Sequence, residues 1–203
     1  MKRIGIMGGT FNPIHKGHIA LAKAAIDHFA LDEVIFIPTG TPPHKKKNEI
    51  ADKEHRFQMV KLATQKHNKF TVSRLEIDRK GFSYAIDTFT YLKEKFGTSA
   101  RLFYIMGMDS INEILDWKKP LELFKLCHFI VGTRPGTRVR TFRRLMKFPP
   151  LQKELEKIHL MELKENVSAS EIRDKLGRGV SVKRLLPATV DSYIRKNKIY
   201  GHA

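Results

Sequence analysis

The sequence predicts an α/β protein: a doubly wound, mainly parallel sheet with helices on both faces and a helical C-terminal tail. Three observations predict it. Short apolar runs that read as buried strands alternate with stretches of helical period; Gly8, Pro38, Gly107 and Gly132 fall at the ends of such runs; and no internal repeat or low-complexity tract interrupts the pattern.

The elements follow in order. Residues 4–7, Ile-Gly-Ile-Met, read as the first buried strand, and residues 19–26, rich in alanine with Leu21, as the first helix. A second buried strand spans 33–38, and residues 52–67 carry Phe57, Val60, Leu62 and Ala63 at helical spacing. Residues 70–77 alternate as a strand; 83–96 form a helix stopped by Gly97; 101–106 form an apolar strand closed by Gly107. Pro120 opens a short helix to Leu126, and residues 128–131 give the next strand. This βαβαβαβ run is Rossmann-like, with right-handed crossovers and ligands gathered at the carboxyl ends of the strands. Residues 133–153 lack any acidic side chain while Arg134, Arg138, Arg140, Arg143, Arg144 and Lys147 crowd together, which predicts an exposed loop and short helix. The tail adds a strand at 158–163 and helices at 170–176 and 187–196.

Composition narrows the class. At 203 residues and 41% hydrophobic content, one domain over 1–203 is expected, with 168–203 as its C-terminal helical subregion. The formal net charge of +17 favours anionic partners, nucleotides or RNA. The single cysteine, Cys127, excludes an intramolecular disulfide and a thiolate zinc cluster, and fits a reducing compartment. Without a signal-peptide pattern or an apolar run approaching the ~20 residues of a membrane span, a cytoplasmic protein with no membrane partner is expected.

The chemistry concentrates in residues 8–18, Gly-Gly-Thr-Phe-Asn-Pro-Ile-His-Lys-Gly-His, between the first strand and the first helix. Glycines there let the backbone approach a ligand, and a helix N-terminus beyond them offers N–H groups to an anion. His15 and His18 lie three residues apart beside that anion, Thr10 adds a hydroxyl, and Asn12 can cap the helix. Imidazoles so placed can hydrogen-bond a phosphorus centre as charge builds. The turn is neither a Walker A loop nor a G-x-G-x-x-G fingerprint, which argues against a P-loop NTPase and an ordinary dinucleotide dehydrogenase. Further on, Ser168 and Ser170 open a helix and Arg173 follows one turn in, a pattern that suits phosphate, although an N-cap with a surface arginine has the same spelling.

The His-x-Gly-His turn resembles the signature of the nucleotidylyltransferase superfamily. Added to it are Thr41-Pro42-Pro43-His44-Lys45, Gly81-Phe82-Ser83-Tyr84 with Asp87-Thr88, Ile105 to Asp109, Trp117, Thr133 to Gly136 and Val167 to Arg173. Together these resemble the bacterial nicotinate-nucleotide adenylyltransferase family over nearly the whole chain. The resemblance implies transfer of AMP from ATP to nicotinate mononucleotide, giving nicotinate adenine dinucleotide and pyrophosphate, with Mg²⁺ carried by the ATP phosphates and no metal ligand from protein side chains. It implies catalytic roles for His18 and His15. ATP would meet Gly8, Gly9, Thr10, Phe11, His15, His18, Gly107, Asp109, Arg134, Ser168, Ser170, Ile172 and Arg173. The mononucleotide would meet Thr10, Asn12, Lys45, Tyr84, Ala85, Thr88 and Trp117, whose ring would stack on the pyridine. Asn12, Ala85, Met108 and Ala169 depart from the usual family residues; at Ala85 a threonine hydroxyl that helps hold the nicotinate carboxylate is missing. Other acceptors of the same class, nicotinamide mononucleotide or pantetheine phosphate, are the rival reading. A basic RNA-binding protein is a more distant one, because no aromatic platform accompanies the charge. The sequence leaves the oligomeric state open, a homo-oligomer included.

Overall fold

In the computed structural model, which describes residues 1–43, 50–133, 147–163 and 167–201, the apolar runs become six strands. These are β1 (Lys2–Gly9), β2 (Glu33–Pro38), β3 (Phe70–Val72), β4 (Ala100–Gly107), β5 (His128–Thr133) and β6 (Ile158–Glu162). All neighbours pair in parallel, in the order β3-β2-β1-β4-β5-β6. The chain therefore winds outward from β1 one way and from β4 the other, which opens a crevice where their carboxyl ends part.

Helices cover both faces. One face receives α1 (Lys16–Phe29), α2 (Lys53–Thr64) and the tail helices α6 (Ala169–Gly177) and α7 (Ala188–Lys196). The other receives α3 (Ala85–Phe96), α4 (Met108–Asn112) and α5 (Pro120–Leu126). The strands divide their side chains accordingly: Phe103 and Ile105 of β4 join the first core, Leu102, Tyr104 and Met106 the second. At about 25 cal/mol per Å² of apolar surface, these two buried layers supply the main driving force for folding.

Several boundaries differ from the sequence reading for physical reasons. The strand expected over 70–77 ends at Val72. The Ser73 N–H still reaches the Phe36 carbonyl at 2.9 Å, but β2 then closes on Pro38, which has no N–H to continue a ladder. The chain turns instead, held on the outside by Arg74, which grips Glu54 at 2.8 Å and Asp78 at 2.8 Å. Helix α2 buries Val60 and Ala63, with Met59, but not the whole of the stripe that its apolar residues suggest. Phe57 stays half-buried under the Arg74 guanidinium, while Arg56 is 2% exposed. Helix α1 begins earlier than expected, so His18 sits inside its first turn, and its N-cap is His15 rather than Asn12. Asn12 is too far upstream to cap: Pro13 and Ile14 intervene, and its amide oxygen is taken by other donors. Of the basic segment, residues 134–146 lie outside the described residues, and Pro149–Lys157 forms a 3-10 helix that buries Leu151.

Candidate active site

A cavity of about 490 Å³ occupies the crevice at the ends of β1 and β4. Gly8, Gly9, Thr10 and Phe11 line it. Side chains would obstruct it: a Cβ on Gly8 would stand 3.2 Å from the Tyr104 hydroxyl. Phe11 takes φ 47°, an uncommon left-handed conformation held by its buried ring, which packs 6.1 Å from Phe36 and edge-on to His18 at 5.1 Å.

His18 lines the cavity, and its neighbours fix its chemistry. Its Nδ1 accepts the His15 backbone N–H at 3.2 Å, so the proton of a neutral ring belongs on Nε2. Burial, reinforced by the adjacent His15, holds the His18 pKa well below its ordinary value. His18 is thus a neutral donor at physiological pH. His15 is buried, stacks on His18 with ring centroids 3.7 Å apart, and is not among the cavity-lining residues. Gly17 makes that packing possible, since a Cβ there would lie 3.1 Å from His15 Nδ1.

Distant parts of the chain tie down the loop that carries these groups. Arg173, on α6, lines the cavity and donates to the Asn12 carbonyl at 2.9 Å. Asn12, also lining it, accepts at its side-chain oxygen from Ala51 N–H (3.0 Å) and from the Tyr200 hydroxyl (2.7 Å). Arg56 donates to the carbonyls of Ala51, Thr10, Thr39 and Gly40 at 3.0, 2.8, 2.6 and 2.9 Å, linking the loop after β1 to the loop after β2. Gly40 has to be glycine here, because a Cβ would collide with the Glu76 carbonyl.

Aromatic and charged groups form the other end. Tyr84, Ala85, Trp117 and Lys118 line it, with Gly107 and Asp109 beside them at the start of α4. Trp117 is half-buried and 6.1 Å from the Tyr104 ring. Glu76 also lines the cavity, although it is 6% exposed; burial raises its pKa, and Thr88 donates to it at 2.7 Å. Thr88 therefore stands behind Glu76, outside the lining. At the α6 end, Ala169 and Arg173 reach the cavity. Ser168 and Ser170 bond each other at 2.7 Å outside the lining, and Ile172 packs its side chain into the core. Lys45 and Arg134 lie outside the described residues. Among the described residues no group of three or more His, Cys, Asp or Glu side chains could hold a metal, and no helix is long and apolar enough to cross a membrane.

The sequence reading missed Arg56, Glu76, Tyr104 and Lys118. Glu76 had a signal, an acid between the apolar Leu75 and Ile77; Arg56 had none, because its partners are backbone carbonyls.

A donor-rich loop, a neutral histidine donor and an arginine gathered at the switch point of a parallel sheet define a nucleotide-handling α/β protein. The cytidylyltransferase-like family model matches residues 6–175, and the chain belongs to that family. It is 44% identical over 199 residues to a probable nicotinate-nucleotide adenylyltransferase of Moorella thermoacetica, covering 98% of this chain and 91% of the relative. A relative of the same name from Thermoanaerobacter sp. is 44% identical over 200 residues, covering 98% and 94%. In fold, the chain is similar to the nicotinic acid mononucleotide adenylyltransferase of Plasmodium falciparum complexed with NaAD, with a TM-score of 0.78 at 20% identity over 98% of each chain.

Proposed function

We infer that this enzyme is a nicotinate-nucleotide adenylyltransferase: it joins the AMP portion of ATP to nicotinate mononucleotide and releases pyrophosphate, a step of NAD biosynthesis. The observation that carries the reading is the 44% identity to enzymes of that name over nearly the whole chain. The position of His18 in the switch-point cavity gives it chemical sense.

The acceptor's phosphate oxygen attacks the α-phosphorus of ATP, forming one P–O bond as the bond to the departing pyrophosphate breaks. No enzyme nucleophile is needed. The protein's task is to hold two polyanions in line and to stabilise charge on the non-bridging oxygens. His18 does this with its Nε2–H, and His15 sets the ring's tautomer and angle through its backbone N–H. Backbone groups of Gly8 to Phe11 flank the same oxygens, and Arg173 reaches the β- and γ-phosphates, with Ser168 and Ser170 at the start of α6 alongside. The phosphate end presents donors rather than a cluster of carboxylates, which suits a metal arriving with the nucleotide. Mg²⁺ bound to ATP supplies charge neutralisation there. Trp117 and Tyr84 take the pyridine ring, and Asp109 faces the nucleoside side. The cytoplasm, with its ATP supply, is the proposed location.

Pyrophosphate release from ATP is the test, measured with nicotinate mononucleotide, nicotinamide mononucleotide and pantetheine phosphate as acceptors. The expected result is a preference for nicotinate mononucleotide over its amide of at least ~10²-fold in kcat/KM. Equal rates with the two pyridine acceptors would remove the nicotinate assignment, and transfer only to pantetheine phosphate would reassign the enzyme within its class.

A further inference from the structure

Two cationic side chains line the cavity among its described residues, and they approach it from opposite faces of the sheet. Arg173 rises from α6, which packs on one core, and rests on the Asn12 carbonyl beside the phosphate-binding loop. Lys118 follows Trp117, which packs on the other core, and reaches the rim at the start of α3. Its ammonium lies 4.4 Å from the centre of the Tyr84 ring and 3.2 Å from Asp87 Oδ1. Both contacts hold the long side chain across the aromatic end instead of leaving it to sweep through solvent.

We propose that Lys118 is a specificity-determining residue: its ammonium engages the carboxylate on the pyridine ring and so selects the nicotinate acceptor over the nicotinamide one. The inference rests on the acceptor assignment above. Nicotinate mononucleotide carries an anion at each end, a phosphate and a ring carboxylate, and the cavity carries a cation at each end. Nicotinamide mononucleotide has only the first. Ala85, which lines the same end, offers the carboxylate no side-chain donor. Tyr84, the N-cap of α3, makes no side-chain capping bond, so the first-turn N–H groups of α3 have no side-chain cap there. Asp87 does not cancel the effect. An ammonium has three donors, so Lys118 can keep Asp87 on one and offer another to the ligand. Of the acids that line the cavity, Glu76, Asp109 and Glu113, Glu76 is buried with a raised pKa, which limits its repulsion of a second carboxylate.

The experiment compares the full-length wild type with Lys118→Met and Lys118→Arg. Two readouts are taken: steady-state kinetics with each pyridine mononucleotide, and ligand titration followed by fluorescence of Trp117, the sole tryptophan. The Lys118 side chain is 43% exposed, so its replacement spares the core. In Lys118→Met the nicotinate-to-nicotinamide ratio of kcat/KM should fall about fivefold to tenfold, through the KM and fluorescence Kd for nicotinate mononucleotide. Lys118→Arg should keep most of the preference. A general structural defect would weaken both acceptors together and leave the ratio unmoved. A Lys118→Met ratio within about twofold of wild type overturns the role of Lys118 while the enzyme assignment stands. Absence of transfer to either acceptor by the wild type overturns the assignment itself.

Discussion

Two pairs of stacked imidazoles sit at opposite ends of the same sheet. His15 and His18 meet at the carboxyl end of β1, with ring centroids 3.7 Å apart. His128 and His159 meet where β5 and β6 begin, 5.6 Å apart and within 11° of parallel. Burial lowers the pKa of His18, His128 and His159 alike, that of His128 to about 4. What separates the pairs is their surroundings. The first borders a 490 Å³ cavity and the start of α1, while the second is hemmed in by Arg3, Arg101 and Lys157 and by the Phe103 ring 5.3 Å away. A depressed histidine pKa marks packing in both places, and only the first pair stands at the strands' carboxyl ends beside the cavity.

That comparison breaks most sharply at His18. His18→Ala should lower kcat by about 10²- to 10³-fold, the scale of losing one transition-state donor, with folding intact by circular dichroism. A loss under about fivefold would deny it the donor role. The scaffold beneath the first pair offers a second probe. Arg56→Ala leaves four carbonyls without their donor and should cost about 2–4 kcal/mol in denaturant unfolding, with kcat falling in whatever fraction stays folded.

The smallest effect belongs to the second pair and to pH. His128→Gln should leave adenylyl transfer at the wild-type level. In the wild type, the folded His128 pKa lies near 4, below its value of 6.5 in the unfolded chain, so the unfolded state binds more protons between those limits. Stability is therefore fully present above about pH 6.5 and declines as pH falls toward 4. The wild-type Tm should drop across that window more steeply than the Tm of His128→Gln, and parallel curves would refute the linkage. In contrast, burial and the adjacent His15 hold the His18 pKa well below its ordinary value, so kcat should show no histidine ionisation near 6.5.

The sequence made the sheet and the first pair legible because both are local signals. Apolar runs in alternation specify parallel strands, and His-x-Gly-His after a Gly-Gly turn marks the segment that borders the cavity. The second pair was silent, since His128 and His159 are 31 residues apart and become neighbours only through the register of β5 on β6. Arg56 was silent for a related reason: an arginine between His55 and Phe57 reads as a solvated charge, and only the folded loops supply its carbonyls. The early end of β3 was hidden because alternation continues through Leu75 and Ile77 after the ladder has lost its partner. Thr88 has the opposite history, with a spelling that suggests ligand contact and a position that braces Glu76.

The hydroxyl of Tyr200 closes onto the side chain of Asn12 across 188 positions of sequence. The segment after α7 is thereby tied to the turn between β1 and α1. Proteolytic trimming that removes residue 200 would strip a brace from the turn while the sheet, complete by residue 162, endures. Loss of turnover, rather than loss of folded material, is how such clipping would announce itself.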